Sequence, residues 1–335
     1  MSKKLHSSPR WKAYMRARQK AQERSAKRRK KREYALGQAR KVTPADRRQF
    51  HVLAAPEEFS IVDQPEAAIA FLSNLDLYAQ KHNLTLDLSR VTHLTTDAIA
   101  VLVAALRPLR EVYVRGNLPN DPAAQSILVG SGFFDHFRSM QPLPSVSHGQ
   151  ISQEMSKKVQ PDLARDLIHF GTKSLSGSEQ KNNAAYRVLI ESMLNTHNHA
   201  AKHGEKRETW WATVYADVRK NRVCFTFVDT GVGIFKSVRL STLRGLYRRF
   251  GVRNDADILR DMLHEKVESS TGISYRGKGL PSIYRLSQVG KIRSLVIVAN
   301  DVYANVSTGE YRMLPVAFRG TLLYWEIESK ESHHV

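Results

Sequence analysis

The sequence predicts an α/β protein, because short apolar runs alternate with stretches of helical periodicity along most of the chain. Two further observations divide the chain. A basic N-terminal arm occupies residues 1–50, and a Pro-, Ser- and Gln-containing segment at 139–160 has no sustained apolar period and is typical of a linker. The 335 residues are enough for two cores, so we expect one domain at 52–138 and another at 161–329.

The elements before the linker alternate between the two periodicities. We predict helices at 65–82, 97–106 and 121–129 and strands at 84–88 and 111–115. Crossover helices between successive strands imply a parallel or mixed sheet in this domain. After the linker we predict helices at 162–172, 179–201 and 280–288, and strands at 209–218, 222–228, 292–299 and 321–328.

Composition excludes several classes of protein. The lone cysteine, Cys224, makes a disulfide framework impossible and favours a reducing compartment. No run reaches the roughly 18 apolar residues that a membrane-spanning helix requires. We therefore expect a soluble cytoplasmic protein without a membrane partner.

The basic excess belongs to the arm. Residues 1–50 hold 18 Lys or Arg and three acids, a net charge of +15, whereas the other 285 residues carry a net charge of +5. Clustered cations of this kind bind nucleic acid by releasing counterions from the phosphates, so we expect DNA or RNA as a partner. A solubilising tail and an anionic lipid surface remain as alternatives. The candidate phosphate contacts are Arg24, Lys27, Arg28, Arg29, Lys30, Lys31 and Arg32.

Three motifs in the second domain carry candidate chemistry. Glu191, Asn195 and His199 are spaced i, i+4, i+8, which places them on one face of the predicted helix. A strand then delivers Asp229 into a turn that contains Gly231 and Gly233. Finally, Gly277 and Gly279 open a helix whose free N–H groups can receive phosphate oxygens. Taken alone, the helix motif is also compatible with a solvated helix face and the glycine motifs with ordinary turns.

In their order, E-x-x-x-N, D-x-G-x-G, G-x-G-L and the final Gly320-Thr321 resemble the four boxes of the GHKL ATPase superfamily over residues 161–329. The resemblance implies a Bergerat-type α/β sandwich, with a mixed sheet and helices on one face. It also implies that ATP lies between helices and sheet under a flexible lid, here the Arg-rich stretch between Gly233 and Gly277.

The resemblance assigns a role to each matching position. Asn195 would coordinate Mg²⁺, Asp229 would accept a hydrogen bond from the adenine amino group, and Glu191 would activate water as a general base. The remaining ATP-binding positions would be Gly231 and Gly233 beside the base, Gly277 and Gly279 beside the phosphates, and Thr321 at the adenine end. His199 would be structural.

The first domain has a shorter likeness. Residues 86–102 resemble the strand-loop-helix core of STAS domains, the anti-sigma-factor antagonists, and the likeness extends over about 52–138. Where that family has a phosphorylatable serine, this chain has Asp97. The likeness implies a domain that presents a permanent negative charge to a protein partner.

These observations favour an ATP-binding and ATP-hydrolysing molecular switch that is coupled to nucleic acid or to a protein through the arm and the STAS-like domain. Two alternatives stay open: a serine/threonine kinase of the anti-sigma-factor type, and a non-catalytic nucleic-acid-binding protein. A nucleotide-dependent homodimer is compatible with each of the first two.

Overall fold

Two main β-sheets organise the molecule, one parallel and one antiparallel, in a computed structural model that describes residues 47–109, 111–137, 149–154, 159–203, 210–237, 254–264 and 279–328. The first region supplies strands β1 (Phe50–Ala54), β2 (Glu58–Phe59), β3 (Asn83–Asp87), β4 (His93–Leu94) and β5 (Val114–Gly116), with helices α1 (Pro65–Ala79), α2 (Thr96–Leu106) and α3 (Pro122–Gly130).

The first region forms a three-stranded parallel sheet in the order β1-β3-β5. Its inner face buries Leu53, Leu84 and Leu86, which pack with the apolar side chains of α1 and α2. Parallel pairing follows from the helical crossovers, as the sequence predicted. The strands β2 and β4 form a separate parallel pair.

The second region contains strands β6 (Gly149–Glu154), β7 (Trp210–Asp217), β8 (Arg222–Asp229), β9 (Arg293–Asn305) and β10 (Glu310–Glu328), and helices α4 (Pro161–Ser176), α5 (Asn183–His203), α6 (Ile234–Ser237), α7 (Asp255–Leu263) and α8 (Gly279–Gln288). Its strands form one sheet in the order β6-β7-β8-β10-β9, and each neighbouring pair is antiparallel. The predicted α/β class is confirmed. The expectation of a mixed sheet is wrong for this region.

Alternate residues of the large sheet enter two different cores, as the pleat requires. Phe225, Phe227 and Trp325 point to one face, where they pack with helices of the second region. On the opposite face Cys224 and Tyr324 join the apolar cluster that contains α1 and α2 of the first region. Helices therefore cover both faces of the sheet, not one face as expected.

The two regions share a core rather than forming separate domains joined by a free linker. Residues from Gln49 onward form one compact unit. Within the predicted linker, Gly149–Glu154 form the edge strand β6, paired with β7. The prediction of a linker is therefore wrong for these six residues. Periodicity could not reveal β6, because an edge strand that faces solvent on one side does not require a continuous apolar run.

Contacts between the ends of the two regions reinforce the shared core. The Tyr303 hydroxyl on β9 donates a hydrogen bond of 2.7 Å to the Val62 carbonyl oxygen. Arg312 on β10 forms an ion pair with Glu66 at the start of α1, and its guanidinium carbon lies 4.7 Å from the centre of the Tyr303 ring. These contacts fix the first region against the hairpin of β9 and β10.

One described part of the predicted lid is a core element. Helix α7 buries Ala256, Ile258 and Leu259 against the second core, so this stretch is not a loop over a pocket. Residues 238–253 and 265–276 of the predicted lid lie outside the described residues. Within the described part of the chain, no helix is both long and apolar enough to span a bilayer.

Candidate functional site

The candidate site lies where α5 meets the beginning of α8. Glu191 and Asn195 are one helical turn apart on α5, and both side chains are half-buried. A Cβ atom placed on Gly279, the first residue of α8, would lie 3.0 Å from Asn195 Oδ1 and 3.2 Å from Glu191 Oε2. The two side chains that the sequence assigned to Mg²⁺ and to water activation therefore converge on the same glycine.

Gly279 must remain without a side chain for this arrangement to persist. Contacts of 3.0 to 3.2 Å are tighter than most Cβ contacts, so a methyl group there would displace the amide of Asn195 or the carboxylate of Glu191. A glycine at this position lets the backbone at the helix N-terminus approach both polar groups. Free N–H groups at such an N-terminus attract anions, phosphate among them.

Asp229 is the last residue of β8, and the turn after it leads to α6. Its Oδ1 accepts a hydrogen bond of 2.7 Å from the Gly231 N–H, which closes a tight turn directly after the strand. Burial raises the pKa of Asp229, and hydrogen bonds from the Gly231 N–H and the Thr196 side chain oppose that rise. The residue as a whole is half-buried.

Thr196 links the two parts of the site. It follows Asn195 on α5 and is buried, and its hydroxyl donates to the Ser192 carbonyl oxygen at 3.3 Å. The Thr196 side chain also hydrogen-bonds Asp229. Two consecutive residues of α5 therefore serve the two parts of the site, Asn195 beside Gly279 and Thr196 beside Asp229. The sequence reasoning missed Thr196, although its position one residue after Asn195 was a usable signal.

Asn300 on β9 holds the glycine turn in place. Its Nδ2 donates to the Val232 carbonyl oxygen at 2.9 Å, and its Oδ1 accepts from the Phe235 N–H at 3.2 Å. The side chain is 4% exposed, and its own backbone is left-handed with φ of 53°. Asn is among the few residues that adopt this conformation readily.

Gly233 fits between Asn300 and the last strand. Its φ is +82°, and a Cβ atom there would lie 2.5 Å from Asn300 Oδ1 and 2.7 Å from the Gly320 carbonyl oxygen. Neither backbone conformation nor space admits a side chain. The sequence reasoning missed Asn300, which stands immediately after a buried apolar run and could have been recognised only by its position at the end of that run.

Gly320 and Thr321 complete the neighbourhood of Asp229. Thr321 is paired with Asp229 on one side and with Ala299 on the other. Gly320 has φ of +105°, and a side chain there would overlap the Asp229 carbonyl oxygen. Thr321 therefore lies beside Asp229 in the sheet.

The structure thus brings together most of the predicted site. Glu191, Asn195 and Gly279 meet at α8, while Asp229, Gly231, Gly233 and Thr321 meet where the end of β8 pairs with the middle of β10. Gly277 lies outside the described residues, as do the predicted arm contacts Arg24, Lys27, Arg28, Arg29, Lys30, Lys31 and Arg32. His199 lies on α5.

The donor atoms around Gly279 suit a hard cation. Asn195 presents an amide oxygen, a ligand type that Mg²⁺ accepts, and the Glu191 carboxylate lies beside it. Mg²⁺ commonly uses one or two protein oxygens and completes its coordination with water and substrate phosphates. An amide oxygen beside a helix N-terminus therefore fits a magnesium–phosphate group, and it leaves the carboxylate free to act on water.

Asp97 corrects one expectation. Its carboxyl group is 0% exposed, and Oδ2 accepts hydrogen bonds from the N–H groups of Ile61 at 2.7 Å and Val62 at 3.1 Å. Burial raises the pKa of Asp97 against the effect of those hydrogen bonds. The prediction that Asp97 presents a charge to a partner is wrong, because no partner can reach the group.

Comparisons with known proteins add no relative. The chain matches no protein-family model, and a search of the curated proteins finds no similar sequence.

Proposed function

We propose that the second region binds ATP with Mg²⁺ and hydrolyses it, as the resemblance to GHKL ATPases implies. The observation that carries this proposal is the convergence of Glu191 and Asn195 on Gly279 at the N-terminus of α8. A general base, a cation ligand and a phosphate-binding backbone are needed within reach of one another for phosphate transfer to water.

The base of the nucleotide would lie against Asp229. A carboxylate accepts a hydrogen bond from the exocyclic amino group of adenine, and Asn300 holds the backbone of the turn that follows Asp229. Bound Mg²⁺ would supply positive charge to the phosphate oxygens. Asn195 would hold the ion, Glu191 would accept a proton from water, and the α8 N-terminus would bind phosphate.

The shared core supports a switch rather than an isolated enzyme. Helix α2 of the first region packs against β7 and β8, and β8 carries Asp229 into the site. A rearrangement at the nucleotide would therefore reach the STAS-like region through direct packing, without a flexible connection. We propose that this region passes the nucleotide state to a protein partner or to nucleic acid bound by the arm.

The kinase alternative is less well supported in its simplest form. Thr96 and Asp97, which begin α2 and match the segment that is phosphorylated in STAS domains, are both buried. A transfer reaction would thus require a hydroxyl acceptor elsewhere, whereas hydrolysis requires only water.

One experiment separates the three readings. Radiolabelled ATP with Mg²⁺ should yield free phosphate and no labelled protein. Glu191→Gln should retain ATP binding and lower turnover by about 10² to 10⁴, the usual contribution of a positioned general base. Asp166→Asn, which neutralises an exposed acid on α4, is the matched control and should turn over at the parental rate.

The contrary outcomes are distinct. Labelled protein in place of free phosphate would support the kinase. Tight ATP binding without any turnover would support the non-catalytic protein, and parental turnover in Glu191→Gln would remove Glu191 from the mechanism.

A further inference from the structure

The outer face of the parallel sheet is uncovered in the described part of the molecule. Val52 on β1 is 60% exposed and Phe50 is 40% exposed. Register pairs Val52 with Thr85 and Thr85 with Arg115, so these residues share one face, opposite to buried Leu53, Leu84 and Leu86. Parallel sheets are normally covered on both faces, so an open one indicates a surface for a partner.

This face combines an aromatic ring with a cation. The guanidinium carbon of Arg115 lies 4.0 Å from the centre of the Phe50 ring, and Arg115 Nε donates to the Thr85 hydroxyl at 3.0 Å. Tyr113, two residues before Arg115, is a second exposed aromatic residue. Rings and guanidinium planes are the groups on which unpaired bases stack.

Charge favours a polyanion as the occupant. The strand β1 begins at Phe50, so in the sequence it directly follows the arm, whose net charge is +15 and whose last basic residues are Arg47 and Arg48. Asp87 lies at the opposite end of the face, beside Ala54, and hydrogen bonds from Asn117 and Ser89 lower its pKa. The aromatic and basic end of the face is thus the end that adjoins the arm.

We propose that this face, defined by Phe50, Val52, Thr85, Tyr113 and Arg115, binds single-stranded nucleic acid by base stacking. The proposal deepens the nucleic-acid part of the proposed function and does not depend on ATP binding. The arm supplies phosphate contacts that are independent of strandedness, whereas the face requires unpaired bases. Binding through this face therefore selects single-stranded nucleic acid, whereas the charge of the arm alone does not discriminate between single strands and duplexes.

Substitutions at Val52 and Phe50 in the full chain test the proposal with a fluorescein-labelled oligothymidine and with a duplex of the same length. Phe50→Ser should weaken oligothymidine binding about 5- to 100-fold, the range for loss of one stacked base, and Phe50→Tyr should retain it. Duplex affinity should be unchanged in both variants. The salt dependence should also stay unchanged, because stacking releases no counterions.

Val52 distinguishes nucleic acid from an apolar protein partner. Because this side chain is exposed, Val52→Lys should strengthen oligothymidine binding and Val52→Glu should weaken it. Arg90→Ala, which removes an exposed cation outside this face that is paired with Glu57, is the matched control for Arg115→Ala. We expect a loss for Arg115→Ala alone.

Several results would overturn the proposal. If Phe50→Ser and both Val52 variants bind oligothymidine like the parent, the arm alone accounts for binding. If Val52→Lys and Val52→Glu both abolish a self-association seen by light scattering, the face is an interface between two copies. If the parental chain binds neither probe, the nucleic-acid part of the proposed function fails as well.

Discussion

Asp97 and Asp229 both have a raised pKa, but the two carboxyl groups differ in how far they are buried and in what surrounds them. Asp97, at the start of α2, is fully buried and accepts hydrogen bonds from two backbone N–H groups of the loop after β2. Asp229, at the end of β8, is half-buried beside a turn that Asn300 holds and where Gly233 and Gly320 leave no room for side chains of their own. Burial raises the pKa of each.

The difference shows which observation marks a site. A raised pKa occurs at structural and functional groups alike. Of the two, only Asp229 combines it with partial exposure of the residue and with glycine backbone that approaches closely. Asp97 fixes one loop to one helix, and one of its oxygens has no hydrogen-bond partner among the described residues.

The largest effect on stability should come from the glycine that supports Asp229. Gly320→Ala should lower the free energy of unfolding by about 3 to 5 kcal/mol, since the methyl group would overlap the Asp229 carbonyl oxygen in a left-handed conformation. Gly309→Ala is the control, because Gly309 also has positive φ but nothing lies within 4 Å. It should cost only about 1 kcal/mol in the same denaturant titration. Equal costs would show that packing around Asp229 is looser than described.

Asp97 should affect stability and its pH dependence. Asp97→Ala should cost about 2 kcal/mol, because the N–H groups of Ile61 and Val62 lose their acceptor, and ATP affinity should not change. Asp97→Asn keeps an acceptor oxygen and has no charge to bury.

The sign of the pH effect follows from the raised pKa. A carboxyl whose pKa is higher in the folded protein binds protons more tightly there, so its stabilising effect is present below about pH 4 and is lost as the pH rises. The stability of Asp97→Asn relative to the parent should therefore increase with pH above about 4. Urea titrations at several pH values measure this difference, and a difference that is independent of pH would contradict the burial of the charged form.

The sequence predicted local elements better than their assembly. Alternation of apolar residues identified β3, β7 and β8, and helical spacing placed Glu191 and Asn195 on one face. Residues 300–320 were not predicted, because the polar residues and glycines in the hairpin of β9 and β10 interrupt a two-residue period that β-bulges also shift.

Long-range contacts explain the other differences. Both faces of the large sheet are buried, so its strands do not alternate between apolar and polar residues. Cys224 and Tyr324 on one face could therefore not be distinguished in the sequence from Phe225 and Trp325 on the other. Nothing local indicated that the first of these faces packs against α1 and α2. From the sequence, Asp97 was expected to be an accessible charge at a helix N-terminus. Its burial could not be predicted, because it depends on a loop that lies 35 or 36 residues earlier in the chain. Asn300 likewise hydrogen-bonds to residues that lie 65 and 68 positions earlier in the chain.

The measurement that tests the account most directly is ATP binding by Asp229→Asn, compared with Asp166→Asn as a charge-matched control. Isothermal titration with MgATP should show a loss of affinity of at least about tenfold for Asp229→Asn, the value of one charged hydrogen bond, and none for the control. Its free energy of unfolding should stay within about 1 kcal/mol of the parent, because the substitution removes a buried charge and keeps the acceptor for the Gly231 N–H. A folded Asp229→Asn protein that binds MgATP as tightly as the parent would contradict the assignment of this turn as the adenine site.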